Sequence, residues 1–214
     1  WGPDKITDDG REQLRALGPR LRSAKELPET QVNEILAQVQ LEEIRSAGER
    51  RDAPAANEAW SSLPRATRKL PQAIATYARA LVAAGEAVAA EKLLREAIDD
   101  QREPVLVRLY GELVLPDALT PLERAESWLR KAPEDPELLA ACARLALQAE
   151  LIGKSRSYLE ASLARKPSAE NSLLYAELLD QLGEGDRART VLRDSVARSV
   201  GRRPALPRVR LRRR

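Results

Sequence analysis

The sequence contains no histidine, no methionine and no phenylalanine, and it has a single cysteine, Cys142, in 214 residues. Without histidine, neither a Ser-His-Asp nor a Cys-His arrangement for nucleophilic catalysis can be built from this chain. A single cysteine excludes a disulfide within the chain and a zinc site of the His/Cys type. These absences exclude several classes of enzyme, and we expect the segment to be non-enzymatic.

Aromatic residues are also scarce, with three Trp and four Tyr. Ala, Leu, Glu and Arg dominate the composition, and these residues favour helices, whereas strand-favouring residues are few. No apolar run approaches the roughly 18 residues that a membrane-spanning helix needs, and no signal peptide is visible. The composition therefore predicts a soluble, all-helical protein.

The formal net charge of +3 is distributed unevenly along the chain. Residues 201–214 carry seven arginines and no acidic residue, which leaves 29 basic against 33 acidic residues in the rest. A mildly acidic body does not support a nucleic-acid-binding domain. The basic tail is predicted to be disordered. It has three interpretations: a solvated end, a contact with anionic lipid, or a nucleic-acid arm.

A repeated pattern organises the middle of the chain. An anchor residue and a small residue, as in Tyr110-Gly111, are followed by a small residue, a leucine and a second small residue, as in Ala125, Leu129 and Ala132. Successive anchors lie 33, 32 and 33 residues apart, and this period is typical of tetratricopeptide repeats. The four anchor pairs are Tyr77-Ala78, Tyr110-Gly111, Cys142-Ala143 and Tyr175-Ala176.

The physical reason for this pattern is helix packing. Two antiparallel helices approach closely only where small residues face each other, as Ala78 and Ala90 are predicted to do, and a leucine such as Leu94 then fills the space between layers. Gly85 and Gly183 fall at turns, where a helix often ends on a left-handed residue. We therefore predict an all-α fold, a right-handed superhelical array of tetratricopeptide hairpins.

The predicted organisation has three parts. Residues 1–70 form N-terminal helices and a degenerate capping hairpin, residues 71–200 form four repeats, and residues 201–214 form the basic tail. The predicted repeats are 71–103, 104–135, 136–168 and 169–200. The predicted N-terminal helices are Thr7–Lys25, Thr30–Gly48 and Ala53–Lys69. Pro64 is predicted to bend or end the last of them. Trp60 and Leu63 of this helix are predicted to pack on the first repeat.

The second repeat carries two extra residues in its turn. Its first helix is predicted to end at residues 115–117. Its second helix is predicted to begin with Thr120 as N-cap, Pro121 at the first helical position and Glu123 closing a capping box. Asp135 is predicted to cap the helix that follows.

Several stretches resemble the C-terminal tetratricopeptide domain of the HemY-type proteins of proteobacteria. They include "AWSSLPRATRKLP", "YGEL", "AESWL" and "LIGKSRSYLEASL". The resemblance implies a scaffold or regulator associated with haem and porphyrin biosynthesis, with haem-biosynthesis enzymes among its protein partners. It also implies a repeat domain on the cytoplasmic side of the bacterial inner membrane, with the anchor outside this chain. A generic scaffold unrelated to haem, or a direct porphyrin or haem carrier, are the alternatives.

No cofactor is predicted. His and Met, the usual axial ligands of haem, are absent, so only Cys142 and the tyrosines remain to coordinate iron. Three of the tyrosines are anchors of the repeat, and Tyr158 lies on a second helix. Haem or porphyrin binding therefore remains an alternative, with the propionates held by arginines.

The groove lined by the first helices is the predicted binding site. Positions two residues before or after each anchor face it, and arginine suits the carboxylates of a partner. The alternative is that these arginines pair with Glu112 or face water. The predicted partner-binding residues are Arg79, Arg108, Glu112, Arg144 and Gln148, with the arginines forming a basic stripe.

Overall fold

The computed structural model describes residues 29–200, which form ten α-helices and one 3₁₀ turn, with no strand among them. The all-α fold of helical hairpins is confirmed over these residues. The predicted helix Thr7–Lys25 and the basic tail lie outside them. The helices are α1 (Glu29–Glu49), α2 (Ala53–Ser62), α3 (Pro71–Ala83), α4 (Ala87–Asp100), α5 (Pro104–Glu112), α6 (Leu119–Lys131), α7 (Pro136–Gln148), α8 (Ile152–Arg165), α9 (Ala169–Gln181) and α10 (Gly185–Ser199).

The chain divides into two compact units, the first ending at Pro116 and the second beginning at Asp117. In the first unit, α1 pairs with α2 and α3 with α4, while α3 also packs on α1 and α5. In the second unit, α7 pairs with α8 and α9 with α10, and α6 packs on α7. None of the helices within residues 29–200 has the length and apolar character needed to cross a membrane.

The small residues that let the helices approach each other are buried, as predicted, whereas Ala97 and Ala132, the last residues of the pattern in the first two repeats, are only partly buried. Leu94 and Leu159 are also fully buried, but Leu129 and Leu192 are only partly buried. Trp128, the neighbour of Leu129, takes the interior place there. Apolar side chains therefore fill the space between helices wherever small residues let the backbones approach. The buried small residues are Ala78, Gly111, Ala143 and Ala176 on the first helices and Ala90, Ala125, Ser155 and Ala188 on the second.

Four hairpin turns share one hydrogen-bonded geometry. After α3, Gly85 N–H donates to the Val82 carbonyl and Glu86 N–H donates to the Leu81 carbonyl, the two bonds of a Schellman motif. The predicted left-handed glycines are confirmed, with φ of 88° at Gly85 and 78° at Gly183. The other two turns place a side-chain-bearing residue in the same conformation, Arg51 (φ 57°) and Glu150 (φ 59°).

The N-terminal hairpin lies where it is predicted, but its second helix is shorter than the predicted Ala53–Lys69. Helix α2 ends at Ser62, because Leu63 adopts an extended backbone before Pro64, and the 3₁₀ turn Thr67–Lys69 follows. The ring of Trp60 stacks on the ring of Tyr77, with centroids 4.5 Å apart. The predicted contact of this hairpin with the first repeat is thereby confirmed.

The turn of the second repeat differs from its prediction. Helix α5 ends at Glu112, before the predicted stop, since Leu113 turns to an extended backbone and stays buried. The predicted capping box is wrong, because α6 begins at Leu119 and Thr120 lies inside the helix. Asp117 provides the polar contact instead, accepting from Leu119 N–H at 2.9 Å and from the Thr120 hydroxyl. Asp135 caps α7 as predicted.

Replacing Gly48 by alanine tests how closely α1 and α3 approach. A Cβ on Gly48 would lie 2.8 Å from Ala80 Cα, whereas a Cβ on Gly153 would meet nothing within 4 Å. We expect Gly48→Ala to lower the free energy of unfolding by about 1–3 kcal/mol. The control Gly153→Ala should raise it by up to about 1 kcal/mol. Urea denaturation measures both, and equal effects would contradict the close approach.

Two buried serines should respond oppositely to alanine. Ser155 Oγ has no hydrogen-bond partner in the described part of the chain, whereas Ser162 Oγ donates to the Pro136 carbonyl at 2.9 Å and lies 3.3 Å from Asn171 Nδ2. We expect Ser155→Ala to raise the free energy of unfolding by about 1 kcal/mol and Ser162→Ala to lower it by about 1 kcal/mol. Thermal and urea denaturation check the pair, and a loss of stability in Ser155→Ala would argue against an unpaired hydroxyl.

Candidate functional site

The candidate site of the first unit lies on the face of α3 between two hollows. A hollow of about 270 Å³ on the α1 side is bordered by Glu49, Thr76 and Arg79. A second hollow of about 350 Å³, on the α5 side, is bordered by Arg79 and Glu112. Arg79 belongs to both, and we call this surface the Arg79 face. Its second hollow has an apolar lining formed by Val82, Leu94, Leu109 and Leu113.

The structure brings two of the five predicted site residues together at this face. Arg79 and Glu112 are both exposed and border the same hollow. Among residues 29–200, no ion pair joins either side chain to another residue, so the two charges stay available to a ligand. Arg108 is exposed on α5 in the same unit but does not border the two hollows.

The other two predicted residues lie in the second unit. Arg144 Nη2 donates to Glu170 Oε1 at 2.5 Å and to Asn171 Oδ1 at 3.0 Å, which ties α7 to α9. Its side chain is only 12% exposed. Gln148 lies one turn further along α7 and is partly buried. A basic stripe that includes Arg144 stays a prediction.

In the described part of the chain, Arg144 has hydrogen-bond partners and Arg79 has none because the first helix of the following repeat differs in sequence. The residues five and four before the following anchor are Glu170 and Asn171 in the second unit, which accept from Arg144. The same positions before Tyr110 hold Val105 and Leu106, which have no side-chain acceptor. Arg79 therefore lacks the internal partners that Arg144 has.

The tyrosine anchors carry a polar contact that the sequence reasoning missed. Tyr77 donates its hydroxyl to Asn57 Oδ1 at 2.6 Å, and Tyr110 donates to Glu91 Oε1 at 2.9 Å. Tyr175 donates to Glu160 Oε1 in the same way. In each case the acceptor lies on the second helix of the preceding hairpin. A buried phenol needs such a partner, so the contact fixes one hairpin against the next.

The third repeat keeps this contact although its anchor is a cysteine. Glu126 directly follows the small residue Ala125, just as Glu91 follows Ala90, so it marks the place where an anchor tyrosine would donate. Tyr158 of α8 supplies the hydroxyl instead, at 2.9 Å from Glu126 Oε1. The repeated small-Glu pair is the sequence signal that could have revealed this site.

Charged side chains extend the contact at Tyr175. Arg156 donates to both carboxylate oxygens of Glu184, at 2.6 and 3.2 Å, and lies 3.4 Å from Glu160. Arg187 lies 2.8 Å from Glu184 and 3.4 Å from Glu160, and it also donates to the hydroxyl of Tyr175 at 3.3 Å. Two arginines and two glutamates thus form one network, in which each ion pair contributes modestly because it is partly solvated.

The surroundings of these carboxylates lower their pKa values. Burial alone would raise the pKa of Glu126, but the hydrogen bonds from Lys154 and Tyr158 outweigh it and lower that pKa. The hydrogen bond from Tyr175 is the main cause that lowers the pKa of Glu160. Both carboxylates are therefore stabilised in their charged form.

The side chains that could coordinate iron are engaged or inaccessible. The hydroxyls of all four tyrosines donate to side-chain oxygens. Cys142 is fully buried, and burial raises its pKa to about 12, which disfavours the thiolate that binds metals. Within residues 29–200, no group of three or more His, Cys, Asp or Glu side chains is arranged to hold a metal ion.

Comparisons with known proteins give distant likenesses. No protein-family model matches the chain, and no curated protein matches it. Solved structures that match include MamA of MSR-1 (12% identity, TM-score 0.45, covering 77% of this chain and 97% of that one). A MamA fragment, 41-end, from Desulfovibrio magneticus RS-1 matches with 10% identity and a TM-score of 0.47, covering 92% and 98%. PilF of Pseudomonas aeruginosa matches with 17% identity and a TM-score of 0.47, covering 91% and 93%.

Acid titration tests the tyrosine-carboxylate contacts. A lowered pKa means that the stabilisation is fully present above the ordinary value of 4.5 and is lost as the pH falls through the lowered value in the folded protein. We expect the free energy of unfolding to decrease below about pH 4.5, and the decrease to be smaller in Tyr158→Phe. This variant should also be less stable near neutral pH by about 1–2 kcal/mol.

The control for this titration is Glu123→Gln, a change at an exposed carboxylate on the same helix as Glu126. Tyr158→Phe should change the acid dependence by the same amount with and without Glu123→Gln. If Tyr158→Phe and the original chain lose stability in parallel on acidification, the hydroxyl does not lower the pKa of Glu126.

Proposed function

We propose that this chain is a protein-interaction scaffold and that the Arg79 face is its binding site. The observation that carries the proposal is the placement of Arg79, an exposed guanidinium without an ion-pair partner in the described residues, at the border of two hollows. An arginine in this setting recognises a carboxylate through two parallel hydrogen bonds. A partner segment that carries an acidic side chain fits this chemistry.

A binding role is supported over a catalytic one by the residues at the face. Its charged groups are two arginines (Arg45 and Arg79) and two glutamates (Glu49 and Glu112), and the whole chain lacks histidine. General acid–base chemistry usually relies on a group with a pKa near the working pH, most often histidine. Helical hairpins with an open face between first helices suit the docking of another chain instead.

We further propose that the partners belong to haem and porphyrin synthesis, and that the domain works at the cytoplasmic side of a bacterial inner membrane. The support for this step is the resemblance of the sequence to the HemY-type proteins. The anchor would lie outside this chain, and the basic tail would contact anionic lipid.

Affinity capture of the full-length protein from membranes tests the proposal. We compare the original protein with Arg79→Glu and with Arg189→Glu, the same charge change at a 75% exposed arginine of α10. Arg79→Glu should reduce the recovery of specific partners by about tenfold or more, because it places a negative charge against the partner's carboxylate. Arg189→Glu should retain them. Equal recovery with all three proteins would refute the binding site.

The identity of the captured proteins tests the haem connection separately. Enzymes of porphyrin synthesis among the Arg79-dependent partners would support it, and a set of unrelated partners would favour a generic scaffold. A titration with haem or protoporphyrin tests the carrier alternative, which requires a shift of the Soret band at micromolar ligand. We expect no such shift, since the possible axial ligands are engaged or buried.

A further inference from the structure

The charges at the edges of the 350 Å³ hollow are opposite in sign. Arg79 stands on the α3 side and Glu112 on the α5 side. Both side chains are exposed, and in the described part of the chain the two do not pair with each other. The apolar lining between them leaves a carbon-walled recess with a cation at one edge and an anion at the other.

From this arrangement we propose that the Arg79 face binds a partner segment in which one apolar side chain lies between an acidic and a basic side chain. The apolar side chain enters the recess, the acidic side chain pairs with Arg79, and the basic one pairs with Glu112. The inference rests on the proposed function and names the chemistry of its partner.

Packing explains why the recess accepts an apolar side chain. Leu94, Leu109 and Leu113 form its floor and are at most 8% exposed, while Val82 is 42% exposed at its wall. An aliphatic or aromatic side chain that enters would cover Val82 and remove further apolar surface from water. A polar side chain would lose its hydration there without finding a hydrogen-bond partner on these walls.

Electrostatics explains why the flanking charges must differ. A partner with acidic residues on both sides would place one of them against Glu112, and a partner with two basic residues would place one against Arg79. Like charges in contact across an interface lower affinity and exclude the wrong partner. Arg79 alone would select any acidic segment, whereas the pair selects a segment with opposite charges around its apolar residue.

Binding of three synthetic peptides to the full 214-residue chain tests the inference. The first has Glu, Leu and Lys at successive contact positions, the second replaces Lys with Glu, and the third replaces Leu with Ala. Fluorescence anisotropy measures each Kd. We expect the first peptide to bind about tenfold more tightly than either of the others, because each change removes one of the paired contacts.

Variants of the protein assign the preference to individual residues. Glu112→Lys should reverse the order of the first two peptides, and Arg79→Glu should weaken both. Glu134→Lys makes the same charge change at a 77% exposed glutamate of the second unit and should leave the order as it is. Thermal denaturation of each variant checks that it folds.

The outcomes separate this inference from the proposed function. If Arg79→Glu abolishes binding of acidic peptides but Glu112→Lys leaves their order unchanged, the opposite-charge rule is overturned and the Arg79 site stands. If the Leu→Ala peptide binds as tightly as the first, the recess does not take an apolar side chain. If no peptide binds in an Arg79-dependent way and partner capture is also unaffected, the proposed function fails.

Discussion

Small side chains set the distance between helix backbones in both units, and the other contacts follow from that distance. Where Ala78 and Ala90 are buried between α3 and α4, Leu94 is fully buried as well. The same spacing brings the phenol of Tyr110 within hydrogen-bond reach of Glu91 on the preceding helix. A larger residue at a small position would move all of these groups together, because a close-packed interior transmits strain.

The contact between a tyrosine hydroxyl and a carboxylate is the second element of this architecture. It persists in the third repeat, where Tyr158 reaches Glu126 although Cys142 occupies the anchor position. The requirement is thus a buried donor at that carboxylate, and two different helices can provide it. Burial acts to raise the pKa of Glu126, and the hydrogen bonds from Lys154 and Tyr158 outweigh it, so that the pKa falls.

The position two residues after the anchor holds Arg79 in the first unit and Arg144 in the second, and the two side chains have different surroundings. For this reason we place the proposed binding site in the first unit. Arg144 donates hydrogen bonds to Glu170 and Asn171, and these bonds join α7 to α9. At the two corresponding positions, the first helix of the repeat that follows Arg79 carries Val105 and Leu106, which have no side-chain acceptor, so that the charge of Arg79 is left to a ligand. In the proposed site, the arginine position therefore serves binding where the neighbouring repeat offers its guanidinium no acceptor.

The sequence by itself determined the helices and the hairpin register, because period, small residues and glycine turns are local signals. It also determined that Asp135 caps a helix and that Trp60 packs on the first repeat. It could not locate the start of α6, because Asp117 and Thr120 are both residue types that precede helices. In the structure Asp117 accepts from Leu119 N–H and from the Thr120 hydroxyl. Only the tertiary structure decided which arginine is engaged and which borders a hollow, because hydrogen-bond partners from different hairpins meet only after packing.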